Sequence, residues 1–191
     1  KGARHVVPPS GGFDPAEIID LVPQLGSVHM FAAPTMVTRL LAAAREAGWR
    51  GEGLRTVVYG GGPMYLADIA AALDQFGPRF VQIYGQGECP MAITALSREL
   101  LVDRAHPRWA ARAASVGIAQ SCVDVAVVNE DGSPMPQGET GEVVVRGAPV
   151  MAGYWRNEQA SAAALRDSWL WTGDMGALDE DGFLTLKDRS K

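Results

Sequence analysis

The C-terminal part of the chain contains two groups that could bind a nucleotide. Thr172-Gly173-Asp174 places a carboxylate directly after a turn, where it could accept charge-strengthened hydrogen bonds from the two hydroxyls of a ribose. Arg189 could donate several hydrogen bonds to ribose or phosphate. Taken alone, a turn aspartate and a solvated arginine are simpler interpretations, so these residues indicate only one half of a nucleotide site.

Two glycine-containing segments follow predicted strands. Gly60-Gly61-Gly62-Pro63 would let the backbone approach a flat ring or a phosphate closely, although a tight strand-to-helix turn explains it more simply. Tyr84-Gly85-Gln86-Gly87-Glu88 offers a ring that could stack on a base and a carboxylate that could hold Mg²⁺ together with phosphate oxygens. An exposed loop with an incidental glutamate is an equally good interpretation of the second segment.

The elements before these segments must position them. Up to about residue 97, short β-rich runs alternate with amphipathic helical runs, which predicts an α/β region with a parallel sheet covered by helices. Ligands bind beyond the carboxyl ends of the strands in such sheets, which selects residues 60–63 and 84–88. Strands are predicted at 28–32, 54–59 and 80–84, and helices are predicted to begin near Asp14, Thr35 and Leu66.

The sequence changes character after residue 97. Residues 98–115 carry four arginines among acidic residues, which we interpret as a solvated connector rather than a phosphate-binding patch. Short strands and turns over residues 116–187 predict a small antiparallel, β-barrel-like subdomain. Its hairpin turns are expected at Asn129-Glu130-Asp131-Gly132 and Asp179-Glu180-Asp181-Gly182.

Composition argues against several classes of function. A formal net charge of −5 disfavours nucleic-acid binding through bulk electrostatics. No apolar run reaches the roughly 18–20 residues needed to span a bilayer. Cys89 and Cys122 show no metal-binding spacing, so a reducing cytoplasmic location is the default expectation. His29 is expected in the core or in a pocket wall. Self-association of the protein as a homo-oligomer stays open.

Several motifs occur together and in a fixed order. They are Tyr84-Gly85-Gln86-Gly87-Glu88, Gly141-Glu142-Val143-Val144-Val145-Arg146-Gly147, Gly153-Tyr154-Trp155, Thr172-Gly173-Asp174 and Asp188-Arg189-Ser190-Lys191. In this combination the sequence resembles the adenylate-forming (AMP-binding) superfamily, which includes acyl-CoA synthetases, luciferases and peptide-synthetase adenylation domains. The resemblance implies that a carboxylate attacks the α-phosphorus of ATP, giving an acyl-adenylate and pyrophosphate. A thiol, usually coenzyme A, would then displace AMP.

The resemblance also implies roles for individual residues around a bound nucleotide. The nucleotide-binding positions would be Gly61, Gly62, Pro63, Tyr84, Gly85, Gly87, Asp174 and Arg189. The first three would line the adenine, Tyr84 would stack on it, Asp174 would bind the ribose hydroxyls, and Arg189 would bind ribose or phosphate. Glu88 would be the catalytic, Mg²⁺-binding carboxylate. Lys191 would lie at the hinge about which a small C-terminal domain rotates between the half-reactions.

Three departures from the superfamily pattern bear on completeness. Gly87 stands where Thr or Ser is usual, so a hydroxyl contact to the α-phosphate is lost unless a backbone amide replaces it. A Ser/Thr/Gly-rich loop ending in Lys is expected upstream of residue 1, and a C-terminal domain with an adenylation lysine is expected beyond residue 191. The resemblance therefore predicts a piece of a large N-terminal domain, ending at the start of a hinge in residues 188–191, that is inactive alone.

The acyl pocket is expected at largely apolar positions: Phe31, Ala33, Gln86, Cys89 and Met91. No basic residue among them would pair with a second carboxylate, which favours a fatty or aromatic monocarboxylic acid over an amino acid. Residues 188–191 are more similar to acyl- or aryl-CoA synthetases than to peptide-synthetase domains. Two alternatives remain: a domain that loads a carrier protein or transfers acyl groups without CoA, and a non-catalytic nucleotide- or acyl-binding remnant.

Overall fold

Helices and strands alternate in the first part of the computed structural model, which describes residues 2–189. In order, the elements are α1 (Pro15–Leu25), β1 (Val28–Ala32), α2 (Pro34–Ala47), β2 (Leu54–Tyr59) and α3 (Leu66–Phe76). Strands β1 and β2 pair in parallel, with Phe31 opposite Val58. The predicted helices and strands of this region are therefore confirmed, as is the parallel pairing.

Local sequence signals explain where these helices begin and end. The Asp14 carboxylate accepts a hydrogen bond from the Ala16 backbone at 3.0 Å and caps α1. Gly48 adopts a left-handed conformation with φ of 68°, and its N–H donates to the last turn of α2. A residue with a Cβ is strained in that conformation, so the glycine stops the helix where the sequence predicts.

Helical faces and four aromatic rings form the core up to Phe80. The buried positions of α2 follow three- and four-residue spacing: Pro34, Val37, Leu40, Leu41 and Ala44. The ring centroids of Trp49 and Phe76 lie 5.6 Å apart. Phe80 lies 6.1 Å from Phe76 and 6.2 Å from Tyr59. Aromatic pairs at such distances contribute about 0.5–1.5 kcal/mol each beyond burial of their surface.

Strand β1 alternates between exposed side chains and side chains that are partly or fully buried. Ala32 is buried, whereas His29 and Phe31 are exposed. A strand with one covered face shows this two-residue period. His29 therefore does not lie in the core, because its side chain is on the exposed face of the strand; its place in a pocket wall stays a prediction.

The chain divides into two compact units between Phe80 and Val81. The second unit contains two antiparallel arrangements of strands. In the first, β3 (Phe80–Gln86) pairs with β4 (Cys89–Leu96), which pairs with β5 (Ile118–Ala119). Residues 98–115 separate β4 from β5. The subdomain boundaries expected at residues 97, 115 and 187 remain a prediction.

The second sheet of this unit is a curled, antiparallel half-barrel. Its strands, in spatial order, are β10 (Leu184–Arg189), β9 (Trp169–Leu178), β7 (Gly141–Gly147) and β6 (Val123–Val128). A short strand, β8 (Leu165–Arg166), also pairs with β9 and follows helix α6 (Glu158–Ala164). The predicted antiparallel β-rich region is confirmed, and so is the overall α/β class.

The interpretation of residues 98–115 as a solvated connector is wrong. They form α4 (Arg98–Val102) and α5 (Trp109–Ala113), and Leu101 and Ala113 are buried. Arg108 pairs with all three acidic residues of the turn at 179–181, including Asp181 at 3.1 Å. Arg112 also contacts Asp181, at 2.9 Å. Arg108 and Arg112 therefore attach this segment to the β9–β10 hairpin, while Glu99, Asp103 and Arg104 are exposed.

Candidate functional site

Asp174 is the buried acidic residue at the centre of the candidate site. It lies on β9 with only 8% of its surface exposed. Its Oδ2 accepts a hydrogen bond from the Tyr84 hydroxyl at 2.6 Å and one from the Gln86 amide at 3.3 Å. Two motifs that lie 90 residues apart in the chain thus meet at one carboxylate oxygen.

A β-bulge aims the Asp174 side chain. In the β7–β9 ladder, Glu142 pairs with Met175 and Val144 pairs with Trp171, so residues 172–174 lie opposite Val143 alone. Bulges of this kind re-aim side chains next to functional sites. The extra residues interrupt the regular pairing of β9 with β7 at Thr172-Gly173-Asp174.

Hydrogen bonds hold the bulge in place. The Thr172 hydroxyl donates to the Val143 carbonyl at 2.7 Å and accepts from the Asp174 N–H at 3.1 Å. The Gly173 N–H donates to Glu142 Oε1 at 2.9 Å. Sequence reasoning gave Thr172 and Glu142 no such role, although both lie within the motifs that it singled out.

Tyr84 is a buried hydrogen-bond donor. Its side chain packs in the core of the second unit with Ile93, Val143 and other apolar residues. Burial, and then the hydrogen bond to Asp174, raise the pKa of the Tyr84 hydroxyl above its ordinary value. The hydroxyl therefore keeps its proton and donates to the carboxylate. Only 8% of the residue is exposed, so the expected stacking on an adenine remains a prediction.

The expected end of β3 at residue 84 and the loop at 84–88 are wrong. Tyr84, Gly85 and Gln86 belong to β3, and only Gly87 and Glu88 form the turn to β4. A Cβ on Gly85 would lie 2.4 Å from the Met91 nitrogen, so only glycine permits the two strands to approach this closely. The glycines shape a hairpin and place Glu88 at its tip.

Glu88 is held from the segment that precedes α6. Its Oε1 accepts a hydrogen bond from the Tyr154 hydroxyl at 2.6 Å, and its carbonyl accepts one from the Met151 N–H at 2.8 Å. The hydrogen bond to the carboxylate raises the pKa of Tyr154. Tyr154 belongs to one of the motifs in the sequence, but its contact with Glu88 was not predicted.

The donor set around Glu88 limits what metal it could hold. Among the side chains that the structure describes, within residues 2–187, no three acidic, histidine or cysteine groups lie closely enough to bind a metal ion. Magnesium is commonly held by one or two carboxylates together with substrate phosphates and waters. A single carboxylate on a turn fits a magnesium ion that arrives with a nucleotide.

The remaining predicted site residues lie in varied surroundings. Cys89 is fully buried in the core, and Met91 is 61% exposed with φ of 56°. The Gln86 amide also donates to the Thr172 carbonyl at 3.2 Å. In the first unit, Phe31 is exposed and Ala33 precedes α2, while Gly61, Gly62 and Pro63 are exposed between β2 and α3.

The C-terminal positions are described only in part. The register of β9 and β10 places Arg189 opposite Asp174, which brings the two motifs to the same point of the sheet. Lys191, the expected hinge residue, lies outside the described residues. Among residues 2–189, every helix is too short or too polar to cross a membrane.

Known proteins of similar sequence include CoA ligases. The chain is 37% identical over 182 residues to a feruloyl-CoA synthase from Amycolatopsis, covering 94% of this chain and 35% of that protein. It is 34% identical to a medium/long-chain fatty-acid–CoA ligase of Mycobacterium tuberculosis, covering all of this chain and 32% of the ligase. The chain thus spans about a third of the length of these relatives.

Solved structures show the same fold. An amide bond synthetase from Marinactinospora thermotolerans matches with a TM-score of 0.81 and 35% identity, over 93% of this chain and 34% of that one. The O-succinylbenzoate coenzyme A synthetase of Bacillus subtilis, solved in complex with AMP, matches with a TM-score of 0.77 and 28% identity, over the same shares. Residues 1–155 match the family described as AMP-binding enzyme. Because this match covers more than half of the chain, the chain belongs to the family of AMP-binding enzymes.

Proposed function

We propose that the whole protein containing this chain is an ATP-dependent carboxylate–CoA ligase. It would form an acyl-adenylate with release of pyrophosphate, and coenzyme A would then displace AMP to give a thioester. The observation that carries the proposal is the hydrogen bond from Tyr84 to Asp174, because it joins two motifs that we propose bind the nucleotide. Two relatives with this activity in their names, both at least 34% identical, support the reaction class.

Asp174 is proposed to bind the ribose of ATP. Its carboxylate accepts hydrogen bonds and lies in a buried, fixed position, so its interaction with a vicinal diol is charge-assisted and preorganised. Tyr84 would face the adenine, and Arg189 would contact ribose or phosphate. Gly61, Gly62 and Pro63 would line the base, and Lys191 would act as the hinge.

Glu88 is proposed to bind Mg²⁺ that accompanies ATP. The ion would neutralise charge that develops on the phosphates during nucleotidyl transfer. Gly87 supplies no hydroxyl to the α-phosphate, so we assign that contact to a backbone N–H of the turn. Glycine at this position leaves the backbone accessible, and the Gly87 residue is exposed.

The substrate is proposed to be a fatty or aromatic monocarboxylic acid. The names of relatives support both kinds of acid, since one is a feruloyl-CoA synthase and another is a fatty-acid–CoA ligase. Phe31, Ala33, Gln86, Cys89 and Met91 remain the proposed pocket positions. Of these, Met91 is well exposed, whereas Cys89 would contact a ligand only after repacking of the core.

A second candidate is acyl transfer to an acceptor other than CoA. The amide bond synthetase that matches with a TM-score of 0.81 is the observation that favours it. A carrier protein would be another such acceptor. Both candidates share adenylate formation and differ only in the second half-reaction, so the acceptor must be tested separately.

Pyrophosphate release by the whole protein tests the proposal. Straight-chain, branched and aromatic acids would be screened first without an acceptor and then with CoA, with small amines or with a carrier protein. Acid-dependent pyrophosphate release followed by CoA thioester formation is expected. Amide products would favour the second candidate, whereas AMP binding without pyrophosphate release from any acid would indicate a non-catalytic remnant. A cytoplasmic location and self-association stay predictions, to be checked by fractionation and by light scattering.

A further inference from the structure

We propose that Tyr154 is a positioning residue for the carboxylate of Glu88. The inference rests on the proposed function, in which Glu88 binds nucleotide-borne Mg²⁺. The Tyr154 hydroxyl donates to Glu88 Oε1 at 2.6 Å, and the two residues are 66 positions apart in the chain. The hydrogen bond is therefore a product of the tertiary fold and not of local geometry.

Glu88 needs such a contact because its own element does not orient it. The residue lies in a two-residue turn directly after the exposed Gly87, and its side chain is only partly buried. A glutamate at such a position can adopt several rotamers. Magnesium requires near-ideal octahedral geometry, so a carboxylate that is already oriented binds it at a smaller entropic cost.

The backbone around Tyr154 is itself fixed, which makes its hydroxyl a dependable donor. The Tyr154 N–H donates to Ser161 Oγ at 2.8 Å, and that hydroxyl donates to the Asn157 carbonyl at 2.7 Å. Gly153 has φ of 144°, and a Cβ there would lie 3.0 Å from Ser161 Oγ. The glycine thus allows the chain to pass close to α6 and aim the next side chain at the turn.

A second contact attaches the same segment to the turn. The Met151 N–H donates to the Glu88 carbonyl at 2.8 Å. This backbone hydrogen bond does not depend on the Tyr154 side chain. Substitution of Tyr154 by Phe should therefore leave the turn in place and remove only the hydrogen bond to the carboxylate.

The arrangement divides the two oxygens of Glu88 between two tasks. Tyr154 donates to Oε1, so Oε2 would be the oxygen available to the metal ion. Carboxylates that bind metals are generally hydrogen-bonded in this way, and loss of the supporting group weakens metal affinity. Tyr154 would act through Glu88 and contact neither ATP nor the carboxylic acid.

The test measures the Mg²⁺ dependence of ATP binding to the whole protein by calorimetry, with no carboxylic acid present. Tyr154→Phe is expected to raise the half-saturating Mg²⁺ concentration about three- to tenfold, as loss of one hydrogen bond predicts. The affinity for ATP without Mg²⁺ and the KM for the carboxylic acid should stay unchanged. In a Glu88→Gln background the same substitution should have no further effect on the Mg²⁺ dependence.

Trp155→Phe is the matched control, since Trp155 adjoins Tyr154 and is 85% exposed; it should retain the wild-type Mg²⁺ dependence. An unchanged or lower Mg²⁺ requirement in Tyr154→Phe would overturn the inference, as would an equal effect in both backgrounds. If Glu88→Gln raises the half-saturating Mg²⁺ concentration and Tyr154→Phe does not, only the role of Tyr154 is wrong. If Glu88→Gln itself has no effect, the metal role of Glu88 is wrong and the inference falls with it.

Discussion

The two acidic residues of the site lie in opposite surroundings. Asp174 is buried on a sheet strand, where a bulge aims it and Tyr84 donates to it from the neighbouring motif. Glu88 lies at the tip of a hairpin, partly exposed, with Tyr154 donating to its side chain. The fold fixes the carboxylate proposed to bind ribose, whereas the carboxylate proposed to bind metal is left open to a ligand.

Because of this difference, we expect Asp174 to affect both the stability of the fold and binding, and Glu88 to affect mainly activity. A buried carboxylate that satisfies a buried hydroxyl contributes to folding as well as to binding, because either partner alone is costly to bury. A partly exposed carboxylate at a hairpin tip has less packing to lose. Substitutions at the two sites should therefore differ in kind and not only in size.

Asp174→Ala should have the largest effect. It leaves the buried Tyr84 hydroxyl without the acceptor seen at 2.6 Å, so the free energy of unfolding should fall by about 1–3 kcal/mol. AMP binding should weaken more than about tenfold, or ~1.4 kcal/mol. Urea unfolding and calorimetry with AMP measure the two changes. Asp174→Asn is the control: it keeps an acceptor oxygen, so it should lose less stability while still weakening AMP binding.

Glu88→Ala should reduce activity without reducing stability. Pyrophosphate release by the whole protein should fall more than about tenfold, equivalent to ~1.4 kcal/mol of transition-state stabilisation. The free energy of unfolding should stay within about 0.5 kcal/mol of the wild type, as is usual for surface substitutions. A stability loss as large as that of Asp174→Ala would remove the contrast between the two sites.

Tyr84→Phe should reveal the buried hydroxyl through the pH dependence of stability. Burial and the Asp174 hydrogen bond raise the pKa of Tyr84 above its unfolded value of about 10. The folded state therefore holds this proton more tightly, so the stabilisation is complete below pH ~10 and declines as pH rises further. Above that pH, the free energy of unfolding should fall more steeply with pH in the wild type than in Tyr84→Phe. The two slopes should differ by up to about 1.4 kcal/mol per pH unit.

Urea unfolding of both proteins between about pH 8 and 11, on either side of the ordinary tyrosine pKa of about 10, measures this slope. Tyr59→Phe is a useful comparison, because burial alone raises the pKa of that hydroxyl. Parallel pH profiles for the wild type and Tyr84→Phe would show that the hydroxyl of Tyr84 titrates normally, contrary to the buried environment seen here.

Arg108→Gln should have the smallest effect. Arg108 pairs with Asp179, Glu180 and Asp181 in the turn that joins β9, which carries Asp174, to β10. Partly exposed ion pairs contribute little, so the melting temperature should fall by no more than about 2–4 °C, and less at high salt. Asp124→Asn, which removes an isolated surface pair with Arg146 at 2.8 Å, is the control and should change it less. A larger drop for Asp124→Asn would mean that the Arg108 contacts do not support the hairpin.

Much of the first unit could be predicted because its signals are local. The apolar positions of α2 recur every three or four residues, and Gly48 ends the helix through its own backbone conformation. The α/β class and the antiparallel region followed from the same kind of pattern. The exposed face of β1 could not be predicted, because burial depends on what packs against a strand.

Residues 98–115 show why charge patterns alone misled. The partners of Arg108 and Arg112 lie 69 to 73 positions further along the chain. A window over residues 98–115 contains the arginines but not these acidic partners, and isolated surface charges are usually solvated. The ion pairs exist because the β9–β10 hairpin brings its acidic turn to the two short helices.

The sequence by itself determined which residue types could bind a nucleotide and the order in which they occur, because motif spacing and glycine positions are properties of the chain. Only the tertiary structure decided their surroundings. It buried Asp174 beside Tyr84, kept Glu88 at a hairpin tip and gave it Tyr154 as a donor. Burial, hydrogen-bond partners and the resulting pKa shifts depend on residues distant in the chain, and these are set when the strands pair.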